Sequence, residues 1–297
     1  MYPRAFHYHR PKTLREASAL LAQLGEDAKF LAGGQSLIPL MKLRFASPAH
    51  LVDLNFISGA SFIAEEKGYV RFGPLTRHTE IEQSAVAAKI PILHDCAAGI
   101  ADVQVRNRGT IGGSLAEADP SGDWATVLMT LETEVKCLGS KGERNLGLGD
   151  FVKDAYTTAL EHDELVSEVT LKVPPPKSGG AYLAFKRAAP VYPTASAAVQ
   201  LTMEGDVCKE AAIALGCVGL VPVRVKEAES ALRGKPVDTK LIENAVEAAR
   251  TVAEPQPDIR GSAEYKKQLV GALVKQALSI ALRRARGERV EVSHIYA

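Results

Sequence analysis

Two double-glycine loops constrain this chain more than any other feature: Ala32-Gly33-Gly34-Gln35-Ser36-Leu37 and Thr110-Ile111-Gly112-Gly113-Ser114. Consecutive glycines break a helix or strand, let backbone N–H groups turn toward one point, and allow a bulky anion to approach closely. Ser36, Thr110 and Ser114 set hydroxyl donors beside them. Two such loops converging would hold a diphosphate without a lysine, although each loop taken singly equally fits an ordinary tight turn. Neither continues as Gly-x-Gly-x-x-Gly or Gly-x-x-x-x-Gly-Lys-Ser/Thr, which disfavours a Rossmann domain or a P-loop enzyme. The Gly-x-Ser-x-Gly elbow and the kinase signatures are also absent from the sequence.

Hydrophobic spacing sets the elements around these loops. Thr13-Leu14-Arg15-Glu16 has capping-box form and opens a helix with Ala17, Leu20, Leu21 and Leu24 on one face. Short strands are expected over 29–32 and 50–54, then at 69–72, 133–138 and 163–173. Helices are expected after Thr79-Glu80-Ile81-Glu82, a second box, and over 91–101 and 124–131. The polar stretch 103–123 reads as a long functional loop. Pro174-Pro175-Pro176 followed by Lys-Ser-Gly-Gly is the best domain boundary. Beyond it come strands over 181–187, 195–203 and 211–218, with Gly205-Asp206 as a hairpin connection. Helices follow over 224–232 and 239–252. A last helix over 262–286 carries Tyr265, Leu269, Leu273, Ala277 and Ile280 on one face.

At 297 residues, two domains are expected: 1–176, with parts about 1–55 and 60–176, and 177–297. A net charge of +1 marks no nucleic-acid or membrane-surface binder, and the basic run Arg283-Arg284-Ala285-Arg286 reads as a solvated helix end. No signal peptide or membrane span is evident, which makes the cytoplasm the expected location. Four cysteines without a Cys-x-x-Cys pair and seven dispersed histidines suit no zinc or iron–sulfur site, so no metal is expected in this chain.

The order of motifs resembles one family. Ala32 to Pro39, continuing Leu40-Met41-Lys42-Leu43-Arg44, is similar to the first flavin loop of the FAD-binding subunits of molybdenum hydroxylases. That family includes the medium subunit of carbon monoxide dehydrogenase and the flavin domain of xanthine dehydrogenase. Arg106 to Leu115 resembles its second loop, and Ala118 to Asp123 the continuation. Thr157 to Leu160, Asp163 to Val166, Tyr182-x-x-Phe185-Lys186-Arg187, Pro222-Val223-Arg224 and Asp258 to Tyr265 match further segments in the same order.

The resemblance implies an α+β fold: a two-part FAD-binding domain of the vanillyl-alcohol-oxidase-like type, then a C-terminal domain with a small antiparallel sheet and helices. FAD would lie in the crevice between them. Ala32, Gly33, Gly34, Gln35, Ser36 and Leu37, with Thr110, Gly112, Gly113 and Ser114, would wrap the diphosphate with backbone and hydroxyl donors. Asp123 would accept from a ribose hydroxyl, or cap the helix that follows. Leu165 and Val166 would pack near the adenine or the ring system, and Lys186 near the flavin or its phosphates. Tyr192 stands where relatives place an aromatic beside the isoalloxazine, but Pro190 and Val191 replace their usual Gly-Asp. The implied partners are a large molybdopterin subunit and a small [2Fe-2S] subunit, in a dimer of heterotrimers. Electrons would pass through FAD to NAD, a quinone or oxygen. A stand-alone FAD oxidoreductase and a flavin-free scaffold are the alternatives.

Overall fold

The computed structural model describes residues 2–188, 191–292 and 295–296. The first sheet is parallel, with His50–Asp53 between His7–His9 and Ala28–Leu31, and the helix Leu14–Leu24 links its outer strands. Thr13 caps that helix by accepting the Glu16 N–H at 3.1 Å, but Glu16 reaches back to the Lys12 N–H at 2.7 Å and not to that of Thr13. The expected box is therefore half formed. His7–His9 escaped sequence reading because a short His-Tyr-His edge strand carries no apolar alternation.

The second sheet is antiparallel, in the order Ile63–Glu66, Tyr69–Phe72, Leu165–Lys172, Thr133–Gly139, Gly142–Gly147. Its two outer strands were not anticipated, being short and rich in charge or glycine. Helices Pro91–Gly99 and Asp123–Leu128 join its core, where Phe72, Ile92, Leu93, Trp124 and Val169 are fully buried. The expected long loop is instead two short helices, Val103–Arg106 and Ile111–Glu117, capped by Asp102 and Thr110. They are too short to show a 3.6-residue period, and the second contains both glycines. The helix expected from Thr79 begins earlier, at His78–Glu82, with Glu80 accepting the Arg77 N–H at 2.6 Å.

The third sheet runs Val223–Arg224, Val207–Gly216, Ala195–Glu204, Ser178–Lys186, Ile295–Tyr296, antiparallel except for the last pair. Gly205, at φ +61°, turns the chain between the two longest strands. Helices Lys226–Leu232, Thr239–Val252 and Ala263–Ala285 share its core. The long helix buries Val270, Leu273, Val274, Ala277, Leu278 and Ala281, while Tyr265 stays 43% exposed. The buried stripe is broader than the predicted one and rotated from it, because a helix lying on a sheet needs a wider apolar face than a coiled-coil seam. Among the described residues no helix is long and apolar enough to cross a membrane.

Candidate functional site

A cavity of about 1140 Å³ opens where loops of the three larger sheets meet. It brings together every residue singled out above: Ala32, Gly33, Gly34, Gln35, Ser36, Leu37, Thr110, Gly112, Gly113, Ser114, Asp123, Leu165, Val166, Lys186 and Tyr192. Pro190 lies outside the described residues, and Val191 lines the cavity beside Tyr192.

The two glycine loops interlock. A Cβ on Gly33 would stand 2.3 Å from the Arg108 carbonyl oxygen and 2.8 Å from the Cα of Gly109, so only glycine lets the loops close on each other. Asn55 ties the first loop down by donating to the Ala32 carbonyl at 2.7 Å. Arg77 bridges the pair, donating to the Asn55 side-chain oxygen and to the Arg108 carbonyl.

Their backbone donors differ. In the first loop, the N–H groups of Gly33, Gly34, Gln35 and Ser36 have no protein partner among the described residues, which leaves four consecutive donors on the cavity wall. In the second loop the expectation of backbone donors holds only for Thr110, whose N–H has no protein partner among the described residues, and fails for the four residues after it. The Ile111 N–H goes to the Thr76 carbonyl, that of Gly112 to Pro74, that of Gly113 to the Thr110 hydroxyl and that of Ser114 to the Thr110 carbonyl. These bonds start the helix Ile111–Glu117, and they leave the Thr110 N–H and the hydroxyls of Thr110 and Ser114 as that loop's donors.

The same cavity is lined by a buried charged group. Lys186, from the third sheet, is 1% exposed; its ammonium donates to the Gly99 carbonyl and stands 4.0 Å from the Asp123 carboxylate. The Tyr182 hydroxyl donates to the same carboxylate oxygen at 2.7 Å. Asp123 is the first residue of its helix and Gly122 occupies the cap position, so the carboxylate is not the helix cap. A buried ammonium with one carbonyl and a carboxylate beyond hydrogen-bond reach is under-compensated, and an anion in the cavity would complete its environment. A second buried pair fastens the cavity's surroundings: Arg284 of the long helix holds Asp95 at 2.5 and 3.0 Å. Burial nonetheless pushes the Asp95 carboxyl up, with the guanidinium offsetting only part of the cost.

Sequence reading missed His78. Its Nδ1 accepts from the Trp124 indole N–H at 3.0 Å, and it lines the cavity next to Gly109. Burial, and then the cations Arg77 and Arg106, push its pKa down to about 3. The only sequence signal was a histidine directly after a strand and turn, one of seven scattered along the chain.

Residues 4–175 match the model of the FAD binding domain in molybdopterin dehydrogenase, and residues 180–281 that of the CO dehydrogenase flavoprotein C-terminal domain. The chain belongs to this family of FAD-binding subunits. It is 42% identical to the carbon monoxide dehydrogenase medium chain of Afipia carboxidovorans, over 96% of this chain and 100% of that one. It is 37% identical to the nicotine 6-hydroxylase medium subunit of Paenarthrobacter nicotinovorans, over 92% of this chain and 96% of that one. A solved carbon monoxide dehydrogenase from Hydrogenophaga pseudoflava superposes with a TM-score of 0.93 at 41% identity, covering 96% of this chain and 99% of that one. The fold is thus a two-part FAD-binding domain followed by the flavoprotein C-terminal domain, and the protein is the medium subunit of a molybdenum-containing oxidoreductase with FAD as its cofactor. The site fits that group: a row of unengaged N–H donors suits a diphosphate, and the cavity has room for a dinucleotide.

Proposed function

We propose that this chain is the electron-transfer subunit of its complex, taking electrons from [2Fe-2S] clusters in a small partner subunit and passing them to a small acceptor such as NAD, a quinone or oxygen. The observation that carries this reading is the set of four unengaged N–H groups, Gly33 to Ser36, in the same cavity as the under-compensated Lys186. Bound FAD would supply the chemistry, exchanging electrons singly with clusters and in pairs with an acceptor.

The chain's own residues then position and tune. Ala32 to Leu37 would bind the diphosphate through backbone N–H groups, and the Thr110 and Ser114 hydroxyls would add donors where Gly112 and Gly113 allow close approach. Asp123 would accept from a ribose hydroxyl while the Tyr182 hydroxyl fixes its orientation. Leu165 and Val166 would supply an apolar wall for a ring system. Lys186 would favour the electron-rich reduced form by its charge. Tyr192, on the cavity rim, would lie against the isoalloxazine.

The division into residues 1–176 and 177–297, a dimer of heterotrimers with a large molybdopterin subunit, and a cytoplasmic location belong to the same proposal. The relatives are named for different substrates, carbon monoxide and nicotine, which supports placing substrate choice in the large partner. The test is to purify the chain with and without its co-expressed partners and analyse the released cofactor. FAD in both preparations, with molybdenum and iron only in the complex, is expected. A colourless chain that takes up no FAD even beside its partners would refute the proposal, and direct substrate turnover by the chain alone would make it a stand-alone enzyme.

A further inference from the structure

We infer that His78 is an additional residue of this site, whose Nε2–H donates a hydrogen bond to a diphosphate oxygen of the bound dinucleotide beside the second glycine loop. This rests on the FAD reading given above and extends it to a residue outside both loops.

The tautomer is fixed by Trp124. An indole N–H can only donate, so the Nδ1 that receives it at 3.0 Å must carry a lone pair. The proton of the neutral ring is then on Nε2. That N–H has no protein partner among the described residues, and its residue lines the cavity. Gly109 packs against this ring edge, and only its lack of a side chain leaves Nε2 room: a Cβ there would stand 2.6 Å from Nε2 and 2.8 Å from Cδ2. The φ of Gly109 lies outside the left-handed region, so glycine is required for space and not for backbone conformation. The His78 backbone N–H also donates to the Gly109 carbonyl at 3.2 Å, fixing the ring against the loop.

A donor is needed at this point. The N–H groups of Ile111 to Ser114 turn onto Thr76, Pro74 and Thr110, so a ligand oxygen lying over Gly112 and Gly113 finds only the Thr110 N–H and two hydroxyls there unless a side chain contributes. His78 is held neutral, which makes it a directional donor unaffected by pH across the physiological range. Arg77 and Arg106 supply positive potential behind it.

The experiment titrates FAD into the apo form of the full chain and compares wild type with H78Q and H78M. Glutamine can accept the Trp124 N–H through its carbonyl and donate through its amide; methionine has comparable bulk, accepts only weakly through sulfur and cannot donate. Wild type and H78Q are expected to bind within about threefold of each other, with H78M roughly 10- to 100-fold weaker, the usual loss for a hydrogen bond to a charged acceptor. Binding by H78M at the wild-type level would overturn the inference. So would an H78Q as weak as H78M, which would make the ring a packing element. In wild-type protein labelled with 15N-histidine, the Nε2–H resonance that is missing from H78Q should move downfield when FAD is added. No movement overturns the inference even if H78M fails to fold. A wild-type chain that takes up no FAD refutes the FAD reading itself, an outcome distinct from any difference among the variants.

Discussion

His78 should make the stability of the apoprotein depend on pH in a calculable way. Its folded pKa is about 3 against an ordinary 6.5, because burial and two neighbouring cations disfavour the imidazolium. Between those values the unfolded chain binds a proton that the folded chain refuses. This contribution is therefore present in full above about pH 6.5 and is lost as pH falls toward 3. At about 1.4 kcal/mol per pKa unit, the 1.5 units between 6.5 and an assay pH of 5 correspond to about 2 kcal/mol. The assay is urea unfolding at pH 8 and pH 5, followed by the fluorescence of Trp124, the single tryptophan and the residue bonded to His78. Other histidines and carboxylates contribute to both proteins, so the quantity of interest is the wild-type change minus that of H78Q. Wild type should lose about 2 kcal/mol more than H78Q. Parallel losses, within about 0.5 kcal/mol, would show that His78 protonates in the folded state and that burial and the flanking cations do not hold it neutral.

Three further substitutions test other parts of the site. Gly33→Ala places a Cβ against the Arg108 carbonyl, backbone that cannot rotate away; a loss of about 1–3 kcal/mol in thermal or urea unfolding is expected, together with loss of flavin absorbance through purification. Arg284→Met leaves the buried Asp95 carboxylate without its guanidinium and should cost about 3–5 kcal/mol by urea unfolding, with partial recovery when Asp95→Asn is added. Lys186→Met removes the buried cation nearest Asp123; FAD should bind more weakly in fluorescence titration, and the potential of any flavin retained should be more negative in dye-equilibration measurements. An unchanged potential would place Lys186 away from the ring system.

The sequence made the two glycine loops legible because Gly-Gly is a local signal, and every residue assigned to the candidate site lines one cavity. What it could not reveal were relationships between distant segments. Whether a loop's N–H groups are open or engaged depends on carbonyls elsewhere: Gly112 bonds to Pro74 and Ile111 to Thr76, more than thirty residues back. Lys186 was placed near the flavin only by resemblance, and its burial follows from Gly99 and Asp123 arriving from the second sheet's helices. The helix Ile111–Glu117 was hidden by its own glycines, since the residues that permit close packing also lower helix propensity. His78 was unremarkable until the fold brought Trp124 to one side of its ring and Gly109 to the other.

These distant relationships also determine what ligand occupancy does to the fold. The cavity wall is assembled from the three larger sheets and their connecting helices, so a dinucleotide bound there contacts groups whose positions depend on all three cores. Lys186 and Tyr182 come from the third sheet, yet their partners Gly99 and Asp123 belong to helices packed on the second. An anion that completes the environment of Lys186 lowers the energy of the docked arrangement and has no equivalent effect on the unfolded chain. Binding and docking are thereby linked, and stability should rise with FAD concentration by mass action, about 2.7 kcal/mol at one hundred times the dissociation constant. In H78M the same curve should be displaced to higher FAD concentration with its slope unchanged, because a lost donor weakens affinity while the linkage between docking and occupancy persists.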